Sequence, residues 1–238
     1  MPTVRAPFND PDYSYPPPLS GSGQYISPIR YLDLDALSPD TRLAPDFRLG
    51  EIAESWKGQH AVVQPHAIES LQNLRDDVGA LTVTSGYRSP GYNASIGGAS
   101  SSRHMYGDGF DLAPLATTLP NLSDRCGRHG AGYTEIYETH VHCDWRDDAL
   151  DDPFYPQNRS MQRWAQLPER SAVLERDGDQ LWAPSEGWDE GEPLRIWTAL
   201  GPDGEVLQTT TGRSYTPPAG ATEVTVEIGG VLRLRLAL

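Results

Sequence analysis

The sequence has few basic residues and no long apolar run. Lysine and arginine together number 19 of 238 residues, against 33 aspartates and glutamates, and the formal net charge is -14. Because phosphate contacts need basic surfaces, this balance argues against a nucleic-acid partner and against electrostatic docking on anionic lipid. No stretch approaches the roughly 20 apolar residues of a membrane span. We therefore expect an acidic, highly soluble protein with no membrane span.

The first 25 residues also lack a hydrophobic region, so no signal peptide is visible. Either the protein is not exported, or a signal was removed ahead of this sequence. Residues 14–23 are rich in proline, glycine and serine, a composition typical of linkers. We predict a tether over residues 1–25.

Cysteine is almost absent, since the chain contains only Cys126 and Cys143. One disulfide and two free thiols are both compatible with this count. The redox compartment therefore stays open at this point.

Glycine and proline are abundant, at 23 and 21 residues, which indicates a loop-rich chain with short elements. The clearest helix begins near Pro65 and ends at Gly79. Its apolar stripe consists of Ile68, Leu71, Leu74 and Val78. Residues 43–55 predict a short helix and residues 119–130 another.

The remaining segments favour strands and loops. Residues 80–87, the segment "GFDLAP" and residues 131–145 predict strands, and residues 88–102 read as a long polar loop. After about residue 160, alternating runs are separated by turn residues. We predict an α+β domain over residues 26–160, with a small antiparallel sheet and helices. An all-β, sandwich-like module of about five to seven strands should follow over residues 168–238.

Three residues could form a metal site. His104 and Asp111 are separated by a glycine-containing turn, and the segment "HVH" supplies His140 and His142. Imidazole nitrogen and carboxylate oxygen suit zinc, and catalytic zinc sites commonly use three protein ligands. On a strand, His140 and His142 would share one face. The spacing of His104 and Asp111 is weak evidence by itself, because a single histidine is more often a surface or packing residue.

The surrounding motifs strengthen the case. The chain contains "SGYRS" at 85–89, then "SRHMYGDGFD" at 102–111, then "HVHCD" at 140–144. Together with "FRLGEIAES", these segments resemble the M15 family of zinc peptidases, which includes D-alanyl-D-alanine carboxypeptidases and peptidoglycan endopeptidases. The resemblance covers roughly residues 40–146, with three separated motifs in the family's order.

The resemblance implies that His104, Asp111 and His142 bind one Zn²⁺. It implies that Arg88, with Ser102, holds a substrate carboxylate or polarises the scissile carbonyl, and arginine suits a carboxylate because it can donate two hydrogen bonds. A structural salt bridge of Arg88 and a turn-capping role of Ser102 are the alternatives.

The acid–base group is less clear. The carboxypeptidase branch of the family has an acidic residue three positions before the last ligand, where this chain has Thr139. We rank His140 first, Glu138 second and Asp144 third as general base. Asp144 could instead orient a ligand histidine.

These features predict zinc-dependent hydrolysis of peptide bonds in peptidoglycan stem peptides or cross-links. A cell-wall substrate implies an extracytoplasmic location, periplasmic or secreted. A non-catalytic, metal-stabilised domain that binds the cell wall or a protein is one alternative. A non-haem iron enzyme is another, because two histidines and a carboxylate also bind iron. No oligomerisation signal is present, so we expect a monomer.

Overall fold

The computed structural model describes residues 1–5, 9–17, 24–151, 154–155, 170–188 and 193–238. The chain divides into two compact units. The first comprises residues 1–134 and 139–165, and the second comprises residues 135–138 and 166–238.

The first unit combines short strands, four α-helices and three 3-10 helices among its described residues. The strands are β1 (Val4–Arg5), β2 (Arg30–Asp33), β3 (Arg42–Ala44), β4 (Phe47–Arg48), β5 (His60–Ala61), β6 (Leu81–Ser85), β7 (Gly109–Pro114), β8 (Tyr133–Ile136, whose last two residues group with the second unit) and β9 (Val141–Asp144). The α-helices are α1 (Leu49–Ile52), α2 (Pro65–Val78), α3 (Pro90–Ser95) and α4 (Leu119–Arg128), and the 3-10 helices are Pro11–Tyr13, Ser55–Lys57 and Arg103–Tyr106.

A four-stranded sheet in the order β6-β7-β9-β8 positions the motifs. The pairs β6–β7 and β7–β9 are antiparallel. Strand β7 is therefore flanked by the strand that precedes the "GYRS" segment and by the strand that carries His142. Segments that are distant in sequence become neighbours because β7 lies between them.

Helix α2 forms as the apolar spacing predicts. Pro65 occupies its first turn, where a missing amide hydrogen is tolerated, and Gly79 ends it with a φ of 82°. Ile68, Leu71 and Leu74 are buried, so the predicted stripe faces the core. Val78, at the last turn, is only half-buried.

The polar loop predicted over residues 88–102 contains a short helix, so that prediction was wrong for residues 90–95. The side chain of Ser89 accepts a hydrogen bond from the amide of Tyr92 and Pro90 follows it, which is a helix-start signal. The glycines and serines that follow residue 95 are typical of a loop, so the segment as a whole was predicted to be a loop.

Part of the predicted tether lies against the first unit. The Tyr15 hydroxyl donates to the carbonyl of Met105 at 2.7 Å, and the Tyr13 hydroxyl accepts from the amide of His60 at 2.7 Å. Residues 9–17 are thus anchored by tyrosines. Residues 6–8 and 18–23 lie outside the described residues, so the tether stays a prediction there.

In the described part of the second unit, every regular element from residue 170 onwards is a strand. The strands are β10 (Ser171–Ala172), β11 (Glu175–Asp177), β12 (Gln180–Trp182), β13 (Ser185–Glu186), β14 (Arg195–Leu200), β15 (Val206–Thr211), β16 (Ser214–Tyr215), β17 (Glu223–Ile228) and β18 (Leu232–Ala237). They form sheets of two, three and four strands. The predicted five to seven strands are too few, because two-residue strands such as β10 and β13, which form a sheet of their own, leave little periodicity in the sequence.

The core of the second unit surrounds Trp197. Its ring stacks on Tyr215 with centroids 5.5 Å apart, and Val224, Val226 and Ile228 are fully buried beside it. Alternate residues of β14 and β17 supply this face, as the alternating runs predict. A sandwich arrangement of the sheets stays a prediction.

Among the described residues, no helix has the length and apolar character needed to span a membrane.

Candidate metal centre

Neighbouring strands place three motif residues in one row across the sheet. Ser85 on β6 pairs with Asp111 on β7, and Asp111 pairs with His142 on β9. Directly opposed residues of antiparallel strands have their side chains on the same face. The register therefore brings the Asp111 carboxylate against the His142 imidazole.

His104 reaches the same point from a turn. It lies on the 3-10 helix Arg103–Tyr106, which ends at Gly107 with a left-handed φ of 81°. A Cβ at this glycine would lie 2.4 Å from the carbonyl oxygen of Val62. Only glycine suits both requirements, and the turn directs the chain into β7.

The three predicted ligands converge. His104 Nε2 lies 3.1 Å from His142 Nδ1 and 3.2 Å from Asp111 Oδ1, and His142 Nδ1 lies 3.1 Å from Asp111 Oδ1. All three residues are at least 97% buried. These residues form a group with the composition and spacing of a metal site.

The spacing fits a small divalent ion. Tetrahedral ligands at 2.0–2.1 Å from zinc are separated from one another by about 3.3 Å. The observed separations of 3.1–3.2 Å are close to this value. Two imidazoles and one carboxylate are also a common zinc donor set, which leaves a fourth position open.

Each candidate ligand has a partner at its other polar atom. His104 Nδ1 lies 2.6 Å from the carbonyl oxygen of Gly86, so this nitrogen carries the proton and Nε2 faces the site. Arg88 donates to Asp111 Oδ2 at 2.5 Å. His142 Nε2 lies 3.0 Å from Asp144 Oδ2. Such partners fix ring orientation and tautomer in metal sites.

The electrostatics favour a cation here. Burial alone would raise the pKa of Asp111, but the adjacent His104 and His142 imidazoles hold that pKa well below its ordinary range. Burial would lower the pKa of His142, but its hydrogen bonds to Asp111 and Asp144 raise it well above the usual value. The raised pKa of His142 reflects the two carboxylates, Asp111 and Asp144, that lie beside it.

Cys126 and Cys143 form a disulfide, with Cα atoms 6.1 Å apart. Cys143 lies between His142 and Asp144 on β9, so its side chain points to the other face of the strand. The bond joins β9 to α4. This resolves the alternatives that the cysteine count left open.

The Arg88 side chain donates hydrogen bonds to other residues of the protein. Its Nε donates to Ser85 Oγ at 2.9 Å, in addition to its contact with Asp111, and the residue is 6% exposed. This corresponds to the salt-bridge alternative. Ser102 is fully buried at the start of the 3-10 helix, with no hydrogen bond from its side chain to cap that helix. Substrate contact by either residue stays a prediction.

The three acid–base candidates have different surroundings. His140 lies just before β9, with a side chain 24% exposed and Nε2 3.9 Å from Asp111 Oδ1. Asp144 is fully buried behind His142, and its pKa is well below the ordinary range because Arg146 outweighs the opposing effect of burial. Glu138 is exposed and groups with the second unit.

The expectation that His140 and His142 share a strand was wrong in detail, because β9 begins at Val141. Both residues nevertheless approach Asp111 Oδ1, at 3.9 and 3.1 Å. The loop before β9 thus brings His140 to the same side as His142, which strand alternation was expected to do.

Sequence reasoning missed Gly86 and Arg146. The Gly86 carbonyl acts through the backbone, so no side-chain pattern signals it. Arg146 forms two hydrogen bonds to Asp144. The sequence signal that could have indicated this contact is the position of Arg146 two residues after Asp144.

Comparison with known proteins finds similar sequences over the segment that contains this site. The sequence profile of the Peptidase M15 family matches residues 45–144. The zinc D-Ala-D-Ala carboxypeptidase of Streptomyces albus G is 32% identical over 95 residues, which cover 40% of this chain and 36% of the relative. The chain thus spans about a third of that relative's length. The matched segment contains all three converging residues, and residues 45–144 belong to the Peptidase M15 family.

Proposed function

We propose that this protein is a zinc peptidase that hydrolyses a peptide bond in the stem peptides or cross-links of peptidoglycan. The observation that carries the proposal is the convergence of His104 Nε2, Asp111 Oδ1 and His142 Nδ1 within hydrogen-bonding distance of one another. Membership of residues 45–144 in the Peptidase M15 family, and the likeness to a zinc D-Ala-D-Ala carboxypeptidase, support it.

His104, Asp111 and His142 would hold the ion. Bound zinc would supply Lewis-acid chemistry, since it lowers the pKa of a coordinated water towards neutrality and polarises a carbonyl. The residues of the chain then have separate tasks. Gly86 and Asp144 orient the two imidazoles, and Arg88 holds the outer oxygen of Asp111 so that Oδ1 faces the ion.

We assign the proton transfers to His140. It is partly exposed and its Nε2 lies on the Asp111 Oδ1 side of the triad. In this assignment, Nε2 takes the proton of the attacking water and delivers it to the leaving amine. Asp144 is a poor acceptor by comparison, because Arg146 and His142 already bind both of its oxygens.

The disulfide supports an extracytoplasmic location, periplasmic or secreted. Structural disulfides persist in oxidising compartments and are rare in reducing ones. Cys126 and Cys143 are both fully buried, which fits a permanent structural bond. Peptidoglycan peptides outside the cytoplasm are accordingly the proposed substrates.

The test is a digest of purified sacculi with and without a chelator, analysed by mass spectrometry after the zinc content has been measured. We expect about one zinc per chain and chelator-sensitive products. Release of D-alanine identifies a carboxypeptidase, and conversion of dimeric to monomeric muropeptides identifies an endopeptidase. A fully loaded protein that yields no product would overturn the enzymatic proposal and favour a metal-stabilised binding domain.

Two variants separate metal binding from proton transfer. His104→Ala should abolish zinc binding, because only two protein ligands remain. His140→Ala should keep the zinc and slow hydrolysis by about 10²- to 10⁴-fold, the usual contribution of a general acid–base group. His129→Ala is the matched control, since this histidine contacts Asp77 on the protein surface. Full activity of His140→Ala would move the role to Glu138.

A further inference from the structure

The carboxylate behind His142 is itself held by an arginine. Arg146 Nε donates to Asp144 Oδ1 at 2.6 Å, and the Arg146 Nη2 donates to Asp144 Oδ2. The backbone amide of Arg146 also lies 3.3 Å from Asp144 Oδ1. Both residues are buried, with Arg146 only 5% exposed. A two-point contact of this kind fixes the plane of the carboxylate.

The same guanidinium lies over an aromatic ring that contacts His142. Its central carbon is 4.0 Å from the centroid of the Tyr133 ring. The Tyr133 ring in turn meets the His142 imidazole edge-on, with centroids 5.9 Å apart. Arg146 therefore contacts two groups that themselves contact His142, the Asp144 carboxylate and the Tyr133 ring.

We propose that Arg146 is a positioning residue that determines which nitrogen of His142 faces the metal. This inference rests on the proposed function of the site. A neutral imidazole carries its proton on one nitrogen only. A histidine must be neutral to bind a metal. In that form, the contact with Asp144 Oδ2 places the proton of His142 on Nε2, so the lone pair of Nδ1 points at His104 and Asp111.

Arg146 acts by restricting the rotation of the Asp144 carboxylate. Oδ2 accepts from both His142 and Arg146, while Oδ1 accepts from the Arg146 side chain and backbone. Without the arginine fork, the carboxylate can rotate and lose its alignment with Nε2. The imidazole then gains a second tautomer, in which Nδ1 carries the proton, and a second ring orientation, in which Nδ1 points away from His104 and Asp111. Arg146 lies two residues beyond the segment that matches the family profile.

The experiment compares Arg146→Lys and Arg146→Gln with the wild type. Lysine keeps the charge but lacks the planar fork, whereas glutamine removes the charge as well. Arg125→Lys is the control, because it alters a partly exposed ion pair with Asp77 in the same unit. The zinc dissociation constant is measured by competition with a chelator, and the ligand geometry by the visible absorption of the cobalt-substituted protein.

We expect Arg146→Gln to weaken zinc binding by about 10- to 100-fold, the usual effect of losing an outer partner of a metal ligand. Arg146→Lys should show a smaller loss, both variants should alter the cobalt spectrum, and Arg125→Lys should change neither. Circular dichroism confirms that each variant is folded.

Wild-type zinc affinity together with an unchanged cobalt spectrum in Arg146→Lys would overturn the positioning role, even if Arg146→Gln does not fold. If the wild type itself binds no zinc, the proposed function fails and this inference fails with it. If the wild type binds zinc and the Arg146 variants bind it equally well, only this inference fails.

Discussion

At the scale of single residues, the two histidines of the centre present different nitrogens. His104 turns Nε2 towards the centre because its Nδ1 contacts the Gly86 carbonyl, and His142 turns Nδ1 towards it because its Nε2 contacts Asp144. The residue type indicates a possible ligand, whereas the contact at its other polar atom decides which atom faces the centre. Residues such as Gly86, Arg88 and Asp144 therefore belong to the chemistry of the site.

A histidine outside the centre should make stability depend on pH. His66 Nδ1 lies 2.7 Å from Asp151 Oδ2, and Nε2 lies 4.0 Å from Asp108 Oδ2. Burial would lower the pKa of His66, but the Asp151 hydrogen bond and the charges of Asp108, Asp151 and Asp148 raise it above 6.5. The folded state thus binds the proton more tightly than the unfolded state does, and the stabilisation is complete only below the unfolded pKa.

We predict that His66→Gln lowers the free energy of unfolding by about 1.5–3 kcal/mol below pH 6.5, the usual contribution of a hydrogen bond to a charged group. The difference from the wild type should shrink as pH rises through the folded pKa of His66. Urea unfolding at several pH values measures it, and Asp151→Asn should reduce the same pH dependence. A difference that grows with pH would contradict this assignment.

At the scale of elements, β9 serves two functions on its two faces. His142 and Asp144 point towards the centre, while Cys143 is joined to Cys126 of α4. Cross-strand pairing with β7 and the disulfide both restrain this four-residue strand. A short strand has few hydrogen bonds of its own, so the covalent link adds to the rigidity of the ligand it carries.

We predict that Cys126→Ala combined with Cys143→Ala lowers the free energy of unfolding by about 3 kcal/mol, since the bond closes a loop of 17 residues. Zinc affinity should fall as well, because β9 is less restrained. Denaturant unfolding of the zinc-loaded protein and chelator competition measure the two effects. Unchanged stability in the double variant would show that the bond does not form in the folded protein.

The elements also show where sequence patterns succeed. Helix α2 was predicted because a fourteen-residue amphipathic segment repeats its signal several times. Helix α3 was missed because six residues carry only one turn and a half of periodicity. His140 was predicted to lie on a strand, but that strand begins one residue later, at Val141. The ends of a strand depend on the residues with which it pairs, and the local sequence does not indicate those residues.

At the scale of the whole molecule, the chain consists of two units with different stabilising elements. The first unit contains the candidate metal centre and the disulfide, and the second is stabilised by the cluster around Trp197. The described core of the second unit consists of apolar and aromatic side chains. The two units should therefore respond differently to metal removal.

We predict that a chelator lowers the unfolding temperature of the first unit and leaves that of the second unchanged. Ligand release costs the folded state about 4 kcal/mol when free zinc is 1,000 times its dissociation constant. Differential scanning calorimetry with and without chelator measures the two transitions. Trp197→Ala is the control, because it should destabilise the second unit by about 3–5 kcal/mol without changing the zinc content. A single transition that shifts as one would contradict independent unfolding.

The sequence by itself determined the family resemblance, the α+β character of the first unit, the strands of the second and the three candidate ligands. These follow from residue identity and local spacing, which can be read without knowing the tertiary contacts. The tertiary structure decided the disulfide and the contacts of the tyrosines in residues 9–17. It also decided which nitrogen of each histidine faces the candidate centre, and the contacts of Arg88 and Arg146. Each of these features depends on which segments of the chain are neighbours in the fold. The register that opposes Asp111 to both Ser85 and His142 arises only when residues 26 and 31 positions apart pair, and no local pattern encodes those distances.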